Sequence, residues 1–242
     1  MIEGKKLLVI SAHAADYVWR SGGTIAHYLK HGAQVKVICL SVGVRGESND
    51  LWKQPGQTVE KVAEIRSGES LRAAKLLGIT DIEYWGLQDY PMNLGTEEQE
   101  RLLGIIRAFR PDIILTHDKH DVLNPDHNHV HDFVWQVSIM SNSSGVQTEG
   151  YPATRQMHLY GFEPHQTELS GFVPGSFIDI TDVYEQKVAA MQCFQAQKHL
   201  IKYYTDRAAL RGNHARRLSG NADIQYAESF ANFFPVVDTE FH

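Results

Sequence analysis

The 242 residues carry 23 Lys plus Arg against 29 Asp plus Glu, a formal charge of −6, with 43% apolar and 10% aromatic side chains. That apolar share supports a folded core and excludes a disordered or fibrous chain, while the acidic balance argues against a dedicated binder of nucleic acid or anionic membrane. The two cysteines, Cys39 and Cys193, are too far apart in sequence for a disulfide framework or a cysteine-based zinc cage. The apolar run at 7–10 is too short for a signal-peptide core or a membrane span, so the expected location is the cytoplasm.

In chain order, residues 6–11 read as a buried strand that runs toward His13. Gly22-Gly23 opens a helical stretch to Leu29, stopped by Gly32, and 35–42 (VKVICLSV) is a second buried strand. A polar loop from Gly43 to Gly56 precedes a helix over 58–77, with Thr58 and Glu60 in its first turn and Gly78 as its stop. Residues 82–85 form a third strand, and Thr96 caps a helix to Phe109 that Pro111 ends. Then come a fourth strand at 113–116, a charged loop at 117–126 and a helix at 127–140. A polar surface loop at 141–156 is followed by strands at 158–162 and 177–180, then by the longest helical stretch, 182–211. From Gly212 the pattern is less regular, but Tyr226, Phe230, Phe233 and Phe234 are expected to pack back on the core. Alternation of strands and helices, with near-continuous apolar strands, predicts an α/β fold: a mostly parallel sheet covered by helices on both faces. Neither a repeat nor a linker divides the chain, which predicts one domain over 1–242.

In open parallel sheets ligands bind beyond the carboxyl ends of the strands. The first strand leads into His13-Ala14-Ala15-Asp16, the second into Gly43-Val44-Arg45-Gly46-Glu47-Ser48, and the fourth into His117-Asp118 and then the run from Asn124 to His131. Three loops rich in His, Asp and Glu thus meet at one rim. Two histidines and a carboxylate, with a fourth position left open, suit a catalytic zinc ion. His13 and Asp16 share one tight turn, and His127 is the first choice among the later histidines. His129 and His131 stay open as groups behind a ligand or as a solvated helix face.

His13-x-x-Asp16 followed by Gly22-Gly23, together with Pro125-Asp126-His127, resembles the paired motifs of the LmbE-like (PIG-L) zinc-dependent de-N-acetylase superfamily. Arg66-x-x-Glu69, Ala73-Ala74 and Leu77-Gly78 resemble that family's helix, and Tyr226-Ala227-Glu228-x-Phe230 resembles its C-terminal motif. The resemblance implies a Rossmann-like fold with Zn2+ on His13, Asp16 and His127. Members that cleave acetamides carry two adjacent acids in the first motif, the first as general base. Here that place is Ala15, whose methyl group cannot supply the ~10²–10⁴-fold that such a base contributes. Asn124 likewise stands where the second motif usually begins with a His that steadies the oxyanion.

The His-x-Ala-Asp form of the first motif, Arg45-Gly46-Glu47-Ser48 and Phe162-Glu163-Pro164-His165 resemble a hydratase branch of the superfamily. Those are the 4-oxalomesaconate (4-carboxy-2-hydroxymuconate) hydratases of gallate and protocatechuate degradation. This resemblance implies zinc-dependent addition of water across a conjugated C=C bond to give 4-carboxy-4-hydroxy-2-oxoadipate. It also implies Glu47 and His165 as the acid/base pair, the carboxylate working from across the site. A small polycarboxylate keto acid needs cations; Arg45, in the loop of Glu47, and Arg211, in the basic segment 207–217, are the candidates. The alternative is a zinc-dependent N-deacetylase acting on an N-acetylglucosamine conjugate, with Glu47 as substitute base. Oligomerisation with further copies of the chain stays open.

Overall fold

The computed structural model describes residues 2–237. Its centre is a seven-stranded sheet in the order β3-β2-β1-β4-β5-β7-β6. The strands are Lys6–Ser11 (β1), Gln34–Cys39 (β2), Asp81–Tyr84 (β3), Ile113–His117 (β4), His158–Phe162 (β5), Ser176–Asp179 (β6) and Ala227–Asn232 (β7). Strands β3, β2, β1, β4 and β5 are mutually parallel, while β7 is antiparallel to both β5 and β6. The helices are Asp16–Lys30 (α1), Asn49–Trp52 (α2), Val59–Leu77 (α3), Thr96–Phe109 (α4), Pro125–Asn142 (α5), Tyr184–Met191 (α6) and Leu200–Ser219 (α7). The α/β fold expected from the alternation is the one found.

The period of two along a strand explains the two cores. Leu7 and Val9 of β1 face α1, α3 and α6, meeting Val18, Ile25, Leu77 and Met191. Leu8 and Ile10 face α4 and α5, meeting Leu102, Ile106, Val130 and Val134. Each such side chain, fully removed from water, contributes about 1.5–3 kcal/mol of burial free energy. Helix ends follow local chemistry: Thr58 Oγ1 accepts the Lys61 N–H at 3.3 Å, and Gly78 closes α3 in the left-handed region at φ 83°. At α4 the cap is Gly95, one residue ahead of Thr96, with the Glu98 carboxylate accepting the Gly95 N–H at 2.7 Å.

Three departures from the sequence pattern have identifiable causes. Helix α1 begins at Asp16, six residues before Gly22. The Glu228 carboxylate accepts the Gly23 and Thr24 N–H groups at 2.9 and 2.7 Å, and Lys187 Nζ donates to the Trp19 carbonyl at 3.0 Å. These side chains, paired with each other at 2.5 Å, insert into the helix ladder and carry it across the two glycines. The expected stretch 182–211 is broken into α6 and α7 by a 3-10 turn at Gln195–Gln197, where the Ala196 N–H bonds Glu69 Oε1 at 3.0 Å instead of continuing a helix. Helix α7 then runs through Gly212, because the backbone of Gln225 passes so close that any Cβ there would overlap its carbonyl. The irregular tail forms β7, and of its aromatics Phe230 is buried, Tyr226 stacks on Tyr184 at 3.5 Å and Phe233 lies 4.5 Å from the His131 ring, whereas Phe234 stays exposed. No helix among the described residues is long and apolar enough to cross a membrane.

Candidate metal centre and catalytic cleft

The carboxyl ends of β1, β2 and β4 lie side by side, and the segments that leave them build one site. After β1 the chain turns at once into α1, and Asp16 Oδ2 closes the turn by accepting the His13 N–H at 2.8 Å. After β4 it reaches α5, whose cap Asn124 accepts the His127 N–H at 3.4 Å and whose first helical residue is Pro125. These two local structures bring His13 Nδ1 and His127 Nε2 each to 3.3 Å from Asp16 Oδ2.

Both nitrogens are buried and make no hydrogen bond. The opposite nitrogen of each ring is held by its own carboxylate: His13 Nε2 lies 3.3 Å from Asp126 Oδ2, and His127 Nδ1 lies 2.9 Å from Asp121 Oδ2. An imidazole that donates to a carboxylate on one side offers a lone pair on the other, so both lone pairs converge on Asp16. Leaving such groups buried without a partner costs about 1–3 kcal/mol each, and a divalent ion removes that cost. Two imidazole nitrogens and one carboxylate oxygen are a fitting donor set for zinc. A second cluster, His27, His31 and Asp182, is largely solvent-exposed, and the Lys30 ammonium already occupies Asp182 at 2.8 Å.

The field of the cluster favours positive charge. Burial opposes protonation of His13, yet Asp126, Asp16 and the nearby Glu47 charge outweigh it and raise its pKa to about 10 in the ion-free protein, so an ion bound at Nδ1 would displace a proton. Burial would raise the Asp16 carboxyl, but His127, His13 and His117 hold it well below the usual carboxylate range. His117 is itself kept neutral by burial, and its Nε2 accepts the Ala12 N–H at 3.0 Å, so its lone pair is used. Of the other candidates, His129 is exposed and His131 Nδ1 bonds the His117 carbonyl at 3.1 Å.

A cleft of about 240 Å³ opens over this cluster, lined in part by Asp16, Arg20, Glu47, Tyr90, His127 and His165. Glu47 is gripped at both oxygens: Asn124 Nδ2 donates to Oε1 at 2.8 Å and Gln197 Nε2 to Oε2 at 2.7 Å. Its Oε1 is 3.9 Å from His13 Nδ1, which puts the carboxylate beside the ligand cluster. Ala15 is buried in the apolar core between α1 and the sheet. The His165 ring stacks on Tyr203 at 4.8 Å, its Nδ1 is 3.2 Å from the Tyr204 hydroxyl, and burial together with Arg20 lowers it to about 4.

Five of the seven residues singled out in the sequence thus meet at one place, and two do not. Arg45 is exposed and contributes its backbone N–H to Asp89, with its side chain outside the cleft lining. Arg211 is buried, its Nε and Nη2 spent on the Glu163 carboxylate at 2.9 and 2.5 Å. The guanidinium that does line the cleft belongs to Arg20, which donates to the Glu163 carbonyl at 2.9 Å and to Asp121 at 3.3 Å. Its place four residues after Asp16 on one helix was the available signal. Gln197 had none, since it lies 150 residues from Glu47.

A profile of the PIG-L family, described as GlcNAc-PI de-N-acetylase, matches residues 8–138. A 4-oxalmesaconate hydratase of Pseudomonas putida (strain KT2440) is 38% identical over 236 residues, covering 96% of this chain and 91% of the relative. The crystal structure of GalB, the 4-carboxy-2-hydroxymuconate hydratase from Pseudomonas putida KT2440, superposes with a TM-score of 0.94 at 38% identity over 98% of this chain and 100% of that one. A diacetylchitobiose deacetylase of Thermococcus kodakarensis is 28% identical over 201 residues, 80% of this chain and 70% of the relative. With a family profile across more than half of its length and a hydratase relative matching almost end to end, the chain belongs to the PIG-L (LmbE-like) family of metal-dependent enzymes.

Proposed function

We propose that the protein is a zinc-dependent hydratase that adds water across the conjugated C=C bond of 4-oxalomesaconate (4-carboxy-2-hydroxymuconate) to give 4-carboxy-4-hydroxy-2-oxoadipate. The observation that carries the reading is the pairing of Glu47 and His165 in one cleft with the ligand cluster, while the position of a deacetylase base holds the buried methyl of Ala15. The near end-to-end likeness to a protein named as that hydratase supports the choice of substrate.

His13 Nδ1, Asp16 and His127 Nε2 would hold the ion. When bound, zinc supplies Lewis acidity toward a substrate oxygen on which enolate charge builds. Glu47, fixed through both oxygens, takes a proton from water as the water oxygen bonds to the alkene carbon. His165 delivers a proton to the neighbouring carbon, and exchange with solvent returns the Glu47 proton to the histidine. The Tyr204 hydroxyl holds its Nδ1, which leaves Nε2 for that exchange. In the free protein His165 is neutral; the negative carboxylates of an arriving substrate raise its basicity when it is needed. Arg20 is the guanidinium that a substrate carboxylate meets in the cleft.

The test is the loss of ultraviolet absorbance of the conjugated substrate. Zinc-loaded wild-type protein should turn over, Glu47→Gln should keep its zinc and lose ~10²–10⁴-fold in rate, and His13→Ala or Asp16→Ala should lose both. Absence of turnover by the zinc-loaded protein rejects the reading. One observation favours a second reading: Glu47 stands beside the ligand cluster, where it could also serve amide hydrolysis. Acetate release from an N-acetylglucosamine conjugate would select that alternative.

A further inference from the structure

We infer that Gln197 is a positioning residue for Glu47, and that the buried Arg66–Glu69 pair behind it locks it in its working orientation. The inference rests on the reading of Glu47 as the base. Gln197 is almost fully buried, and its amide stands between a carboxylate and two groups that can only donate. Its Oε1 accepts from Arg66 Nη2 at 3.0 Å and from the Trp19 indole N–H at 3.5 Å. Its Nε2 donates to Glu47 Oε2 at 2.7 Å. A flipped amide would set NH2 against the guanidinium and an oxygen against the carboxylate, so only one orientation satisfies all the partners.

The same ion pair also fixes the turn that carries Gln197. Arg66 Nη1 bonds Glu69 Oε2 at 3.0 Å, while Glu69 Oε1 accepts the Ala196 N–H at 3.0 Å. Arg66 is fully buried, and its Nε adds a bond to the Val42 carbonyl, in the segment between β2 and Glu47, at 3.3 Å. Three segments (the loop after β2, α3 and the turn before α7) are thereby tied to one carboxylate. Glu69 neutralises Arg66 locally, and a neutral amide passes on direction without adding charge to the base. A shift of about 1 Å in a catalytic group can cost on the order of 10²-fold in rate, so the loss of this support is measurable.

The experiment compares Gln197→Met and Gln197→Glu in the wild-type and Glu47→Gln backgrounds. It reads kcat, KM and zinc content, and adds a crystal structure of each single variant. Gln197→Glu keeps the size of the side chain and a partner for Arg66, which covers the case in which Gln197→Met fails to fold. In the wild-type background both are expected to lower kcat ~10–100-fold, with KM within a factor of two and zinc retained, and to release the Glu47 carboxylate from its place. In the Glu47→Gln background they are expected to change the residual rate little. An unmoved Glu47 in the variant crystals overturns the inference whatever the reaction is, and so does an equal loss of rate in both backgrounds. Full activity of Glu47→Gln, with Glu47 displaced in the Gln197 variants, would instead sink the assignment of the base.

Discussion

Asp126→Asn probes the site through a single proton. Asp126 is buried, and its two oxygens have different work. Oδ1 accepts the Met92 N–H at 3.0 Å; Oδ2 accepts the Tyr90 N–H at 3.0 Å and faces His13 Nε2 at 3.3 Å. An asparagine has only one oxygen to share among those three donors. If that oxygen stays on Met92, the amide NH2 confronts Tyr90 and His13. The imidazole then relieves the clash by moving its proton to Nδ1, the atom aimed at the ion. Losing an orienting carboxylate of this kind costs about 10–100-fold in metal affinity, or about 1.4–2.7 kcal/mol. If the amide turns the other way, the Met92 N–H is left against NH2, and fold stability drops by about 1–3 kcal/mol. Zinc competition against a chromophoric chelator, with urea unfolding of the ion-free protein, reads both quantities. A variant unchanged in affinity and in stability would refute the assignment of Asp126 as the group that orients His13.

Glu228→Gln strips the partner from Lys187, which is buried and 2.5 Å from that carboxylate; urea unfolding should show a loss of about 3–5 kcal/mol, and a loss below 1 kcal/mol would mean that the pair does not hold α1. At Glu163, burial opposes ionisation, but Arg211, Arg207 and Ser229 outweigh it and hold the carboxyl below its usual range. Its folded-state pKa therefore lies under the unfolded value, so its stabilisation is complete above about pH 5 and fades as pH falls through the folded value. Glu163→Gln should flatten the acid limb of unfolding free energy against pH, and an unchanged limb would contradict this. Gly212→Ala forces a methyl group into the Gln225 carbonyl and should lower stability by about 1–3 kcal/mol or more, whereas a neutral effect would show that α7 and the segment before β7 can separate cheaply.

The ligand cluster was legible because its members sit at strand and helix ends, where polar residues have no apolar pattern to hide in. Asp16, Glu47, His127 and His165 all line one cleft, and His13 lies buried behind it, 3.3 Å from Asp16. What the sequence concealed was compensation between distant segments. Gly22-Gly23 reads as the opening of a helix, and only the Lys187–Glu228 pair, brought in from α6 and β7, shows why the helix starts earlier. Gly212 reads as a stop until the close passage of Gln225 is seen. Arg211 looked available to a substrate because its partner, Glu163, lies 48 residues away. The antiparallel β7 was hidden for a similar reason: its polar Glu228 and Ser229 are buried by bonds to α1 and to Glu163, which breaks the apolar run expected of a buried strand.

The central claim is that His13, Asp16 and His127 grip one divalent ion. Anomalous diffraction at the zinc edge, from crystals of the zinc-loaded protein, tests it most directly. The account predicts one strong peak about 2.0–2.2 Å from His13 Nδ1, an Asp16 carboxylate oxygen and His127 Nε2, with Asp126 and Asp121 behind the two rings. A peak at the His27–His31–Asp182 cluster alone, or bound zinc that leaves His13 Nδ1 and His127 Nε2 without an ion, would contradict it.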